Sequence, residues 1–192
     1  MMDGGAITLT DFSGAGFGLI GLAGAVGVGL VFLQAALAKL RHRELLSGVI
    51  ANYRLLPAAL VGPAALLLAP VELAVSLGLL LGGHWLAALA AAVLLVIFAA
   101  AIGINIARGR SQIDCGCGRS QLRQPLSWLL VGRNLALAAL LAPRLAGLPN
   151  PISTTTTDLA IALAGGLAVF LIVQLFNAIG ALAGSPLAAS RR

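Results

Sequence analysis

Residues 85–107 read WLAALAAAVLLVIFAAAIGINIA, twenty-three consecutive residues without one charged side chain. A helix needs roughly 20 such residues to cross a hydrocarbon core of about 30 Å. In lipid the backbone must satisfy its own polar groups. The run is rich in Ala and Leu and lacks the apolar/polar alternation of a strand, so it is a helix. Three more stretches pass the same test, at 16–38, 59–81 and 159–183. A fifth, 126–142, is shorter and holds Arg133 and Asn134. The expected fold is all-α: a polytopic transmembrane bundle of about five helices forming one integral membrane domain, with a cysteine-bearing loop at 108–125. Gly21, Gly24, Ala25 and Gly29 make the first helix fit for close packing. Pro57, Pro63 and Pro70 bend or delay the second.

Composition excludes the main alternatives. Of 192 residues, 60% are hydrophobic and 9% charged, with mean hydropathy +1.04, whereas soluble domains are about 25% charged. The net charge of +6 does not point to nucleic acid, because the basic residues fall in short clusters between apolar runs and build no basic face. Two cysteines are too few for a disulfide-stapled scaffold. Met1–Gly14 carries Asp3 and Asp11 but no Lys or Arg, so the basic region of a cleaved signal peptide is missing and the first helix is expected to be retained.

Charge also orders the loops. Lys39, Arg41, Arg43 and Arg54 follow the first helix, Arg108, Arg110, Arg119 and Arg123 follow the third, and Arg191 and Arg192 end the chain. Five spans put all ten on one side, opposite Arg144. Basic short loops stay cytoplasmic, which predicts the N-terminus outside, with the C-terminus and the cysteine loop inside.

That loop reads RGRSQIDCGCGRSQLRQ from Arg108 to Gln124. Cys115 and Cys117 are one glycine apart, Gly118 follows and Asp114 precedes. Glycine permits the positive φ angles of a tight turn. A disulfide across so short a ring is strained, which marks labile, catalytic disulfides. Arg108, Arg110 and their basic neighbours favour the attacking thiolate, while Asp114 opposes it or passes protons. Metal ligation is weaker, since structural zinc needs four ligands and His42 and His84 fall on opposite sides. A bland turn with incidental cysteines is the third reading. The residues favour redox-active thiols, and no metal is assigned.

Inside the membrane, Glu72 sits mid-way along the second helix and Arg133-Asn134 mid-way along the fourth. Ionisable groups at such depth pair or line a cavity. A Glu72–Arg133 ion pair is the expectation, with an axial offset of about 9 Å for the long Arg side chain to span. Locking the bundle and organising a redox or quinone site are the two roles weighed for it. Gln34, Asn105, Gln174 and Asn177 are expected to hydrogen-bond between helices. Trp85 and Trp128 are expected to anchor helix ends at the interface, and Thr157 or Asp158 to cap the last helix.

The series Lys39, Asn52-Tyr53-Arg54-Leu55-Leu56-Pro57, Glu72, Asn105, Arg108-Gly109-Arg110, Asp114-Cys115-Gly116-Cys117-Gly118 and Arg133-Asn134 resembles the MauE family of methylamine utilisation membrane proteins, loosely related to DoxX-type redox-associated proteins. The likeness runs from about Lys39 to Asn134. The chain departs from the family pattern at Gly118-Arg119, where an aromatic residue is expected. The resemblance implies a multi-pass protein of the bacterial inner membrane. It also implies a thioredoxin-like partner of the MauD type and a role in maturing the methylamine dehydrogenase light chain, a disulfide-rich periplasmic subunit. Cys115 and Cys117 would then cycle between dithiol and disulfide, and Asp114, Arg108, Arg110, Glu72, Arg133 and Asn134 would support them. The alternative is a membrane scaffold or transport component that holds assembly factors for a periplasmic enzyme. A periplasmic client sits awkwardly with a cytoplasmic cysteine loop, a conflict that a relay of electrons through the membrane, a membrane-dipping loop or a failure of the charge rule would each resolve.

Overall fold

The computed structural model describes residues 9–81, 85–113, 125–146 and 155–183. Within them the chain forms α1 (Leu9–Arg41), α2 (Arg43–Tyr53), α3 (Ala58–Leu81), α4 (Trp85–Ala107), α5 (Trp128–Leu140), α6 (Ala142–Leu145) and α7 (Thr156–Ala183). Four segments are long and apolar enough to cross a membrane: Phe17–Arg41, Ala58–Leu81, Trp85–Ala107 and Thr156–Leu182. The chain is a multi-pass, all-α membrane bundle.

The expected fifth span, 126–142, forms α5, trimmed at both ends, and a short α6 follows it. Pro143 has no N–H to continue the ladder, and the Leu141 N–H turns back to the Ala138 carbonyl in a tighter turn. The thirteen-residue α5 therefore passes into the four-residue α6 at Leu141, a combined length of about 27 Å. The first inter-helix segment, expected to be a loop, contains α2. This helix lies across the start of α3, with Leu46 buried and Arg43, Glu44 and Leu45 exposed. Leu46, Val49, Ile50 and Tyr53 line a cavity against α3 and α4, while the charged residues of α2 turn outward.

α1 is the axis of the bundle. It packs along α3 on one flank and α7 on the other, while α4 lies against α3 and pairs with α5. Ala25, Val28 and Phe32 of α1 form the core with Val75 and Leu79 of α3, Ala88, Ala91 and Leu95 of α4, Leu137 of α5 and Val173 of α7. The outer surface is as apolar as the core, with Leu66 and Leu81 76% and 82% exposed. A continuous surface of this kind demands lipid as its solvent.

Small residues set the closest contact, as the composition of α1 suggested. A Cβ on Gly166 of α7 would lie 2.5 Å from the Val26 side chain and 3.0 Å from the Ala23 carbonyl oxygen. One on Gly27 of α1 would lie 2.8 Å from Val169 and 3.0 Å from the Gly166 carbonyl oxygen. Helices in lipid gain no hydrophobic drive from meeting, so such approach of backbones is what holds them together. Ser76 on α3 adds a buried hydrogen bond, its Oγ donating to the Gly29 carbonyl at 2.9 Å. Gln34 donates to Gln174 across α1 and α7 at 3.3 Å, the interhelical bond expected of both. At the start of α7, Thr155 rather than Thr157 takes the cap. Its Oγ1 accepts the Asp158 N–H at 3.2 Å, and the Asp158 carboxylate accepts the Thr155 N–H at 3.1 Å, a reciprocal capping box.

Gly166→Ala is expected to cost about 1–3 kcal/mol, as overpacking does in a tight core. Gly132→Ala, where a Cβ meets nothing within 4 Å, should be neutral or slightly stabilising. Thermal unfolding of both variants in detergent checks the contrast.

Candidate functional site

The motif residues assemble in two places, one at the base of the cysteine loop and one in the middle of the bundle.

At the loop base, α2 ends on Arg54, which adopts left-handed φ 48° and donates its N–H to the Ala51 carbonyl. The turn leaves the carbonyls of Asn52, Tyr53 and Arg54 pointing away from the helix end. α4 ends a short distance away in a Schellman motif. Gly109 takes φ +72°, its N–H reaches the Ile106 carbonyl, and the Arg110 N–H reaches that of Asn105 at 2.9 Å. Glycine is needed there because the left-handed conformation is costly for side chains with a Cβ. The reversal aims two guanidinium groups at the end of α2. Arg110 donates to the carbonyls of Asn52 at 2.6 Å and Tyr53 at 3.4 Å, and Arg108 to that of Arg54 at 3.5 Å. Cations there meet the negative end of the α2 dipole. Asn105 is fully buried; it donates to the Ala101 carbonyl at 3.0 Å and accepts from Arg110 at 3.3 Å. It braces the clamp rather than a neighbouring span. The Leu126 N–H then donates to the Ser111 carbonyl at 2.9 Å, and Ile113 packs with Tyr53, Ile102, Leu126 and Leu130. Both ends of the cysteine segment are thereby pinned to one end of the bundle. Asp114, Cys115 and Cys117 themselves lie outside the described residues, as do Arg119 and Arg123.

In the middle of the bundle, Glu72 is fully buried and its carboxylate accepts two bonds from Lys39 Nζ, at 2.9 and 2.8 Å. The ion pair expected between Glu72 and Arg133 is thus made by Lys39. The reason is packing: α1 runs directly along α3, whereas α5 rests on α4 and α1. Side chains on a helix lean toward its N-terminus, so Lys39 reaches back along α1 into the bundle and is only 10% exposed. It is no loop charge, as its place at the end of the apolar run suggested. The signal was present, because Lys39 continues the buried stripe Ala25, Val28, Phe32, Ala36 at helical spacing. Its ammonium also stands 6.0 Å from the centre of the Phe98 ring.

Arg133 faces the same interior. It donates to Asn177 of α7 through one terminal nitrogen and to Asn134 at 3.2 Å through the other. Glu72, Arg133 and Asn134 do share a site, therefore, as lining residues of one polar chamber of about 50 Å³ with Lys39, Gln34, Gln174 and Asn177. Beside it, between α2, α3 and α4, lies an apolar cavity of about 290 Å³.

The family model described as methylamine utilisation protein MauE matches residues 18–147. A Paracoccus denitrificans protein named methylamine utilization protein MauE is 46% identical over 157 residues, covering 81% of this chain and 84% of its own length. The Methylorubrum extorquens protein of the same name is 49% identical over 146 residues, covering 74% and 78%. The chain belongs to the MauE family. No solved structure matches it. The matched MauE region takes in α2 to α6 with the clamp, the cysteines and the Lys39–Glu72 pair. α7, which supplies Gln174 and Asn177 to the chamber, lies beyond it.

Breaking a buried pair by removing one partner costs about 3–5 kcal/mol. Lys39→Met and Glu72→Leu are each expected to destabilise this MauE chain by that order, and the double variant by much less than their sum. Chemical unfolding in micelles reads the cycle; additive losses would show that the pair is not coupled.

Arg110→Gln should loosen the clamp with little effect on the helices. Hydrogen exchange of amides 108–113 should rise about tenfold, while those of α3 stay unchanged.

Proposed function

We propose that this multi-pass membrane protein is a thiol–disulfide redox component of methylamine utilisation in the bacterial inner membrane. Cys115 and Cys117 exchange with a thioredoxin-like partner during maturation of the methylamine dehydrogenase light chain. The observation that carries the reading is the chain's only cysteine pair, Cys115-Gly116-Cys117, on a segment whose two ends are fastened at the Arg108/Arg110 clamp. A pinned, arginine-rich base suits a thiol pair that must present itself to another protein. Positive charge nearby lowers a thiol's pKa and raises its thiolate fraction. Membership of a family whose relatives are named for methylamine utilisation supports the setting.

In the oxidising direction, a partner thiolate attacks one sulfur of the Cys115–Cys117 disulfide. The Sγ–Sγ bond breaks and a mixed disulfide forms. The partner's second thiolate displaces the bound cysteine, so the partner leaves oxidised and Cys115 and Cys117 remain as thiols. The two electrons and two protons now on this pair must pass to an acceptor before the next cycle.

Mass-tag alkylation of cell samples should reveal both cysteines moving between free and blocked states as reductant is added. Changing the second, resolving cysteine of the thioredoxin-like partner to Ser should trap that partner as a mixed disulfide on Cys115 or Cys117. If neither cysteine changes state, and Cys115→Ser and Cys117→Ser both support growth on methylamine, the redox mechanism is wrong and the scaffold reading takes its place. With a membrane-impermeant reagent on intact cells the same labelling assigns the side; the basic loops predict protection.

A further inference from the structure

The apolar cavity and the polar chamber share two walls, the side chains of Lys39 and Phe98. The first is lined by Leu46 and Tyr53 of α2 and its end, Leu68 of α3, and Ile97 and Ala101 of α4. Its 290 Å³ stands near the lower end of small-molecule sites, roughly 300–1,000 Å³. The second, at about 50 Å³, has room for a functional group but not for a ring. It also holds a surplus of donors. Asn134 is 2% exposed and its Nδ2 has no partner, nor has Nε of Arg133. Buried polar groups are as a rule hydrogen-bonded, so two unmatched donors on residues that line one chamber call for an acceptor. Of the ionisable groups lining it, Lys39 and Arg133 are cationic and Glu72 anionic, which favours electron-rich oxygen.

We infer that the paired cavities bind a lipid-soluble quinone. The ring lies in the apolar cavity against Phe98, and one carbonyl edge turns toward Lys39, Arg133 and Asn134. A quinone headgroup offers carbonyl acceptors, a flat ring suited to stacking on an aromatic face, and an apolar tail. Depth argues against a phospholipid. Glu72 stands about 21 Å along α3 from Ala58, near the middle of the span, whereas a phosphate headgroup belongs at the interface.

The inference deepens the redox reading and rests on it for its chemistry. Oxidation of Cys115 and Cys117 breaks two S–H bonds and forms one Sγ–Sγ bond. The two electrons and two protons released convert one quinone to one quinol, which balances the cycle left open above. Tyr53 lines the cavity and also gives its carbonyl to Arg110, so the acceptor would sit directly beneath the base of the cysteine loop.

The test is photoaffinity labelling of the full chain in lipid nanodiscs with an azido-ubiquinone, its thiols alkylated beforehand so that binding and thiol exchange are read separately. Saturable labelling is expected, mapped by mass spectrometry to Leu46, Tyr53, Phe98 or Ile102 and displaced by decylubiquinone. Oleate and phosphatidylglycerol should not displace it. Asn134→Leu should weaken binding about tenfold, the order expected for one lost buried donor, and Ala101→Phe should abolish it by filling the ring's place. Labelling confined to lipid-facing side chains, or displaced by oleate or phosphatidylglycerol instead, overturns the proposal. So does undiminished binding by both variants. Should the variants fail to fold, the mapped adducts and competition on the unaltered chain still decide. Quinone binding without partner trapping would leave the site standing and fell the redox reading; the reverse outcome would do the opposite.

Discussion

A carboxylate in hydrocarbon must find a cation or give up its charge, and Glu72 finds Lys39. The consequences run through the bundle. The pair ties α1 to α3, and the bond from Ser76 to Gly29 ties them again, about one turn further along α3 and nearly three turns back along α1. α1 so placed brings Gly27 against Gly166 and seats α7. α7 then delivers Asn177 to Arg133. These interior polar groups are each placed by a neighbour, and the first placement is the ion pair. Such pairs are weak evidence for stability, since desolvation offsets much of the attraction. Their strength lies in the penalty for separating them, which forbids sliding between helices that are otherwise coated alike in Leu and Ala.

The helical architecture was legible because lipid leaves so few choices. A run of more than 20 apolar residues has one solution, and the predicted 85–107 coincides with α4. Where the outcome depended on local chemistry the sequence was less transparent. The short α6 around Pro143 followed the fifth span unforeseen, and α2 arose in a stretch whose charges read as loop. Its apolar side is small enough to be hidden by Arg43, Glu44 and Arg54. The Glu72–Arg133 expectation failed for a different reason: it treated depth as the only coordinate. Depth decides which groups need a partner, but helix neighbourhood decides which partner is within reach, and neighbourhood is not written in hydropathy. Lys39 was passed over because a lysine near the end of an apolar run ordinarily snorkels outward. Only its register with Ala25, Val28, Phe32 and Ala36 marked it as inward-facing.

The clamp shows the opposite case, in which separate motif elements gain meaning by meeting. Asn52-Tyr53-Arg54 and Asn105 with Arg108-Gly109-Arg110 are more than fifty residues apart in the chain and form one constellation in space. The parts divide the work between them. A left-handed Arg54 exposes carbonyls, a left-handed Gly109 turns the chain, and Asn105 holds Arg110 in line. The arginines that read as a topology signal are therefore also structural. Arg108 and Arg110 spend their donors on backbone carbonyls. Both sit at the base of the segment that carries the cysteines in the sequence.

α4 ties the two regions together. Ile97, Phe98 and Ala101 wall the cavity, and Asn105, Arg108 and Arg110 hold the loop base, about two turns further along the same rigid helix and its end. Tyr53 belongs to both, through its side chain below and its carbonyl above. A change at the loop that draws Arg110 away would free the end of α2, and α2 is one wall of the cavity. Conversely, a ligand that fills the space beneath Leu46 and Tyr53 holds α2 in place and keeps its carbonyls presented to the clamp. Coupling of this kind needs no long pathway, because one helix and one tyrosine span the whole distance. The fold thus puts the two described ends of the cysteine segment and the apolar cavity against the same short piece of backbone, the end of α2.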